Sequence, residues 1–434
     1  MSTVAFSETG SASTPGVPAG WAQRLLLRHL ARLRGGEIVL EHGGHRLRAG
    51  TPGQPSVAIR VHRAAFFWKA VLGGTLSVAE SYLRGDWDCD DLTALFRLFA
   101  RDEQGANGLD RGIARVVRGL HRLYHLWRDN TRSGSRANIA AHYDLGNDLF
   151  ALMLDETWAY SSGIFRSPNM SLSEASREKF DRVCRKLDLR PDDHLLEIGT
   201  GWGGFALHAA LHYGCRVTTT TISRQQYEAA RQRVEAAGLA DRVTLLLQDY
   251  RDVQGQFDKL ASIEMIEAVG HRHLPAFFRQ CGRLLKPNGT LVLQAIVMPD
   301  QRYQQYLRSV DFIQRYVFPG GCLPSLGAML GAAASASDLR LVHAEDFAPH
   351  YAQTLREWRR RFEQRLADVY QLGYDERFVR LWRYYLCYCE AAFEERCTSV
   401  MQLQFDQPAC RRDPLRIAAA ACGSSRVSVS RTVS

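Results

Sequence analysis

The stretch HLLEIGTGWGGFALHAA, residues 194–210, decides how the rest of the chain is read. An apolar run meets a carboxylate, Glu197. Four glycines follow within six residues, at Gly199, Gly201, Gly203 and Gly204, and an Ala/Leu-rich stretch comes next. This reads as strand, tight turn, helix. The glycines let backbone approach a ligand, and the helix N-terminus points at it.

Outward from this turn, strand and helix alternate over about residues 138–408. RVTTTTIS precedes the helix QQYEAARQRVEAAG. VTLLLQD comes next, then FDKLASIEMI with the helix LPAFFRQCGRLL. GTLVLQAIVM follows the turn Lys286-Pro287-Asn288-Gly289, and RLVHAEDF and SVMQLQF close the series. That rhythm predicts an α/β fold, a doubly wound Rossmann-like sheet. Residues 300–340 interrupt it with helical sequence that suits a substrate-covering insertion. At 434 residues the chain is long enough for a second domain. Residues 21–110 fill that role as a small α+β domain, with a helix at WAQRLLLRHLARL and a hairpin signal at Gly43-Gly44. Residues 1–20 and 409–434 read as loose tails.

The linker 111–137 carries seven arginines against one acid, Asp129. Arg111, Arg115, Arg118 and Arg122 recur at helical spacing beside Ile113, Val116, Val117, Leu120 and Leu123. A basic amphipathic helix of this kind can lie on an anionic membrane; the plain alternative is a connecting helix with a solvated basic face. The net charge of +9 also favours an anionic partner. No run approaches the ~18 apolar residues of a membrane span. The N-terminus lacks the basic-then-apolar order of a signal peptide. Ten scattered cysteines show no metal spacing, so no metal site is expected and the thiols read as reduced, in a cytoplasmic protein.

Two ligands compete for the turn. Gly199, Gly201 and Gly204 fit the GxGxxG dinucleotide pattern. Against NAD, Glu197 puts an anion where a pyrophosphate would sit, and the strand TTTTIS ends without an acid for a ribose. S-adenosylmethionine carries an ammonium and a sulfonium, which Glu197 suits. Asp249, at the end of the third strand, could meet its adenine. Strand-end capping is the plain alternative for both acids.

The motifs YDLGNDLFALMLDETWAYSSGIF, LLEIGTGWGG, TISRQQ, IEMIEAVG, FIQRYVFPGGCLPS and PHYAQTL occur in this order. Together, over about residues 138–405, they resemble the cyclopropane-fatty-acyl-phospholipid synthase family. The resemblance implies that the double bond of a cis-unsaturated phospholipid acyl chain attacks the methyl carbon of S-adenosylmethionine. Loss of a proton then closes a cyclopropane ring, with bound bicarbonate as the base. It implies Glu267, Tyr351, Ser162, Gln294 and the backbone of Ile296 as the surroundings of that base. Ser162 stands where the family often has Cys, and Gln294 where it often has His; each still offers a donor. For the cofactor it implies Gly199, Gly201 and Gly203 with Tyr160 and Ser161 near the methionine end, Thr221, Ser223 and Gln226 near the ribose, and Asp249 and Tyr250 near adenine.

The implied partners are unsaturated phospholipid chains and an anionic membrane surface, not nucleic acid, with room for a homodimer. The implied location is cytoplasmic, peripheral on the inner face of the membrane. Ser162 and Gln294 keep a methyl- or methylene-branched product open. Further alternatives are a small-molecule methyltransferase, a dehydrogenase lacking its ribose acid, and a non-catalytic membrane-binding module. Acyl length, double-bond position and headgroup are not fixed by the sequence.

Overall fold

The computed structural model describes residues 20–52, 55–101 and 146–413. The basic stretch 111–137 and most of both tails lie outside the described residues. The chain divides into two units. One takes residues up to Met153 with Gln301–Gly321 and Ala348–Ser399. The other takes Leu154–Asp300, Cys322–Phe347 and the chain from Val400.

In the first unit, β1 (Glu37–His42) and β2 (His45–Gly50) form an antiparallel hairpin. Gly43 and Gly44 have φ of +57° and +80°, the left-handed pair that a two-residue hairpin turn needs. β3 (Ser56–Val61) runs parallel to β1, and β4 (Trp87–Cys89) completes the order β2-β1-β3-β4. The helix expected through AAFFWKAVLGGTLSVAESYL is two helices, Ala65–Leu72 and Gly74–Leu83, broken at Gly73-Gly74. The turn into β4 is anchored by Asp86, which is buried and accepts hydrogen bonds from Lys69 Nζ at 2.5 Å and Ser81 Oγ at 2.9 Å.

Two long helices from late in the sequence, Ala348–Gln364 and Glu376–Glu394, belong to this unit rather than to the alternating domain in which the sequence placed them. The reason is their shared polar and aromatic packing. Arg380 donates to the carbonyls of Tyr82 and Trp87 at 2.6 and 2.7 Å. Tyr384 meets Tyr82, Phe96 and Phe312 at ring separations of 5.5, 4.8 and 4.5 Å. Periodicity identifies an apolar stripe but not the element it packs on.

The second unit is the doubly wound sheet. Its strands are β5 (His194–Ile198), β6 (Arg216–Thr221), β7 (Val243–Leu247), β8 (Phe257–Ile263), β9 (Leu285–Val297), β10 (Arg340–Asp346) and β11 (Ser399–Asp406). They lie in the order β10-β11-β9-β8-β5-β6-β7. β9, β8, β5, β6 and β7 pair in parallel, and β10 pairs antiparallel with β11. Leu195 and Leu196 enter two different cores, and so do Leu291 and Val292. Alternate side chains thus feed opposite faces, which is why these strands read as continuous apolar runs. The Lys286–Gly289 segment, expected as a turn, is absorbed into β9, with a register shift between Phe257 and Lys259. The strand order reverses between β5 and β8, and a ligand crevice belongs at the carboxyl ends of those strands.

Candidate active site

At the carboxyl end of β5, Gly199, Gly201 and Gly203 have φ of +103°, +51° and +83°. The amides of Gly199 and Thr200 both donate to Thr220 O, at 3.0 and 3.1 Å, which folds the turn back on β6. A Cβ on Gly204 would stand 2.3 Å from Thr157 O, so only glycine lets that carbonyl approach. A Cβ on Gly201 would meet nothing within 4 Å. The turn therefore presents bare backbone to open space, as a ligand cradle requires.

Of the residues expected around this cradle, Thr221, Ser223 and Gln226 come together. Thr221 Oγ1 donates to Gln226 Oε1 at 3.1 Å, and Ser223 Oγ accepts from Gln226 N as the cap of the helix Arg224–Ala236. Gln226 is buried and faces Thr221 rather than solvating its helix. Asp249 is clasped by Arg251, whose Nε and second guanidinium nitrogen lie 2.9 and 2.7 Å from the two carboxylate oxygens. Asp249 Oδ1 also accepts from Arg251 N, capping the short helix Tyr250–Asp252. Tyr250 packs edge-on against Phe277. Tyr160 and Ser161 precede Ser162 in the same segment, and Ser161 Oγ accepts from Lys179 Nζ at 2.5 Å.

Glu197 lies directly behind the turn. It is only 2% exposed, and its Oε2 accepts from Thr219 Oγ1 at 2.6 Å, which in turn meets Thr200 Oγ1 at 2.7 Å. Burial pushes its carboxyl up to about 8, against the pull of Thr219 and Lys179. Glu197 thus braces the turn from behind through Thr219 and Thr200. The cation near it is Lys179, buried on the helix Leu172–Leu187 and brought down to about 8 by burial, while Glu264, Asp155 and Glu197 hold it up. Sequence reading missed Lys179. The available signal was a lysine on the apolar stripe of Ala175, Phe180, Val183 and Leu187.

The carboxyl end of β8 carries the densest chemistry. Met265 abuts the glycine turn: a Cβ on Gly199 would lie 3.1 Å from Met265 Cβ. Glutamates stand on both sides of it. Glu267 Oε1 accepts from Ile296 N at 2.6 Å, while its Oε2 is buried and has no partner among the described residues. Burial, and then the neighbouring Glu264, push its carboxyl up to about 8. Glu264, which sequence reading passed over in IEMIEAVG, takes the central place. Its Oε1 accepts from Ser162 N at 3.0 Å and from Gln294 Nε2 at 2.7 Å. Ser162 Oγ donates to Gly163 O at 3.0 Å.

The structure therefore gathers Ser162, Gln294, Ile296 and Glu267, as expected, but around the chain's own carboxylates. The donors around the expected base site are engaged: Ser162 N and Gln294 with Glu264, Ser162 Oγ with Gly163 O, and Ile296 N with Glu267. Bicarbonate does not fit this set, since an added anion would adjoin the carboxyl groups of Glu264 and Glu267 and lack those donors. Tyr351 belongs to the other unit, where it is buried, stacked on Phe393 at 4.3 Å and edge-on to Trp358.

The model of the mycolic acid cyclopropane synthetase family matches residues 130–403. The chain belongs to that family. It is an S-adenosylmethionine-dependent methyltransferase of the cyclopropane synthase type. It is 41% identical over 340 residues to the tuberculostearic acid methyltransferase UfaA1 of Mycobacterium tuberculosis, covering 76% of this chain and 78% of that one. It is 35% identical over 357 residues to the cyclopropane-fatty-acyl-phospholipid synthase of Escherichia coli, covering 82% and 89%. Among solved structures, the mycolic acid cyclopropane synthase CmaA1 complexed with SAH and CTAB is similar with a TM-score of 0.58 at 31% identity, over 62% of this chain and 98% of that one. The family relationship accounts for the sheet and the glycine turn and excludes the dehydrogenase reading.

Proposed function

We propose that this synthetase-family chain adds the methyl carbon of S-adenosylmethionine to the cis double bond of an unsaturated acyl chain in a phospholipid and closes a cyclopropane ring. The observation that carries the reading is the contact of the Glu264–Glu267 segment with the glycine turn through Met265 and Gly199. It puts proton-accepting groups beside the backbone cradle. The open space at Gly201 fits a bound cofactor, and the solved relative with SAH supports the same ligand here. When bound, S-adenosylmethionine supplies an electrophilic methyl. This chain's residues shape the turn, brace it through Glu197 and Thr219, and hold carboxyl groups at the end of β8.

A methyl- or methylene-branched product is the second reading. The relative named as a tuberculostearic acid methyltransferase favours it. Lipid extracts from cells expressing the chain separate the outcomes by mass spectrometry. A ring and an exocyclic methylene each add one CH2, but only the methylene is cleaved by ozone. Unchanged unsaturated phospholipids would overturn both readings. Among the described residues no helix is long and apolar enough to cross a membrane. We place the protein peripherally on the cytoplasmic face, attracted by its basic excess, and as a homodimer; sedimentation analysis tests the latter.

A further inference from the structure

We propose that the side-chain carboxylate of Glu264 is the base of the reaction, occupying the place that an exogenous anion would take. The inference rests on the methyl-transfer reading above. Three observations point to it. First, the two donors that would greet an anion at this position, Ser162 N and Gln294 Nε2, converge on one oxygen of Glu264. Both only donate in this contact, so Oε1 is an acceptor.

Second, Glu264 is held at φ +49°, a left-handed conformation that a side chain rarely adopts. Such a conformation is strained unless its surroundings impose it, and such outliers gather at functional sites. Glycine would relax that strain. The glutamate is retained in a conformation that brings its carboxylate to Ser162 and Gln294.

Third, a buried chain fixes the polarity of these contacts. Lys186 Nζ can only donate, and it donates to Gln402 Oε1 at 2.8 Å. That turns Gln402 Nε2 toward Gln294 Oε1, at 3.0 Å. Gln294 must then present its own Nε2 to Glu264. Gln294 and Gln402 are fully buried and Lys186 is 1% exposed, so the orientation is not open to water. The far end is held by Glu345, 2.6 Å from Lys186 Nζ.

The step balances without an oxidant or reductant. The π pair of the alkene forms the bond to the methyl carbon. The carbon–sulfur bond breaks, its pair goes to sulfur, and a neutral thioether leaves. The other alkene carbon becomes a cation. Glu264 takes one proton from the added methyl, and the freed C–H pair closes the three-membered ring. Glu264 is then a carboxylic acid and returns its proton to solvent.

The test uses the full chain, S-adenosylmethionine and vesicles of a cis-monounsaturated phospholipid, in buffer stripped of carbon dioxide and with bicarbonate added back. Wild type should turn over equally in both. Glu264→Gln should lose about a hundredfold in kcat, a usual general-base effect, and bicarbonate should not restore it because the amide still fills the site. Glu264→Gly, which relaxes the backbone, should be as slow in stripped buffer and recover at least tenfold with bicarbonate or formate. Unchanged S-adenosylhomocysteine affinity in both variants identifies a folded cofactor site. An active wild type that stops in stripped buffer overturns the proposal alone, as does a Glu264→Gln variant of wild-type rate. A wild type that leaves the lipid unchanged overturns the methyl-transfer reading, and the proposal with it.

Discussion

Gln294 Nε2 lies 2.7 Å from Glu264 Oε1, and the polarity of that contact is set by Lys186 two hydrogen bonds away. A glutamine amide alone could present either end. Here an ammonium with no acceptor capacity orients both glutamines in turn. The arrangement explains how Gln294 can stand where the family often has His: it needs to donate in one fixed direction, not to take charge.

Lys186→Met should therefore do more than weaken packing. It removes a buried cation from Glu345, which keeps Arg182 as a partner. The loss of stability should be at most about 3 kcal/mol, read from a urea titration. With Gln402 free to turn over, kcat should fall while S-adenosylhomocysteine affinity holds. A stability loss with unchanged kcat would leave Lys186 a purely structural residue.

Gly201→Val should abolish most cofactor binding. The position has φ +51°, and its Cβ would project into open space rather than into protein. The branched side chain both strains the turn and fills the cradle. Calorimetry with S-adenosylhomocysteine should show at least a tenfold weaker affinity; wild-type affinity would remove the turn from the cofactor site.

Glu267 gives the pH dependence. Its carboxyl is raised to about 8 by burial and by Glu264, so it is mostly neutral at pH 7 and ionises as pH rises through about 8. Ionisation places a second negative charge beside Glu264. Because the folded value is raised above the unfolded one, the stabilising contribution is complete below the usual carboxylate range and is lost as pH rises toward 8. In wild type the unfolding midpoint should decline from about pH 5 to about 8 and level off above it, while kcat should decline across about pH 7–9 as Glu267 ionises. Glu267→Gln, which keeps the neutral shape, should flatten the part of that decline due to this residue. An unchanged profile in the variant would reassign the titration.

Replacing Arg111, Arg115, Arg118 and Arg122 together by Gln tests the membrane contact. Each cation near an anionic surface contributes about 1 kcal/mol, so four contribute about 4 kcal/mol, roughly a thousandfold in binding. Sedimentation with anionic vesicles should show that loss, and high salt should weaken the wild type similarly. Binding indifferent to the substitutions and to lipid charge would exclude the stripe.

The sequence by itself determined the sheet and the turn. Residues 194–210 carry a short-range code: an apolar strand, glycines where φ must be positive, then a helix. Local sterics enforce each part, so β5 and its turn were legible. The hairpin at Gly43-Gly44 was legible for the same reason, and so were the apolar runs of β8 and β9. Motif order also led to Ser162, Glu267, Gln294 and Ile296, which the fold brings together.

Only the tertiary structure decided what those groups do. Glu197 lies in a strand whose alternation does not reveal that its carboxyl is sealed against Thr219. Glu264 and Gln402 are 138 residues apart, and their connection through Gln294 exists only because β11 joins the sheet beside β9. The helix Glu376–Glu394 shows an apolar stripe but not its partner, which is found some 300 residues earlier at Tyr82 and Trp87. Hydrogen-bond polarity and burial are properties of three-dimensional neighbours. A linear pattern specifies which faces must be covered; the fold decides which donor meets which acceptor once they are.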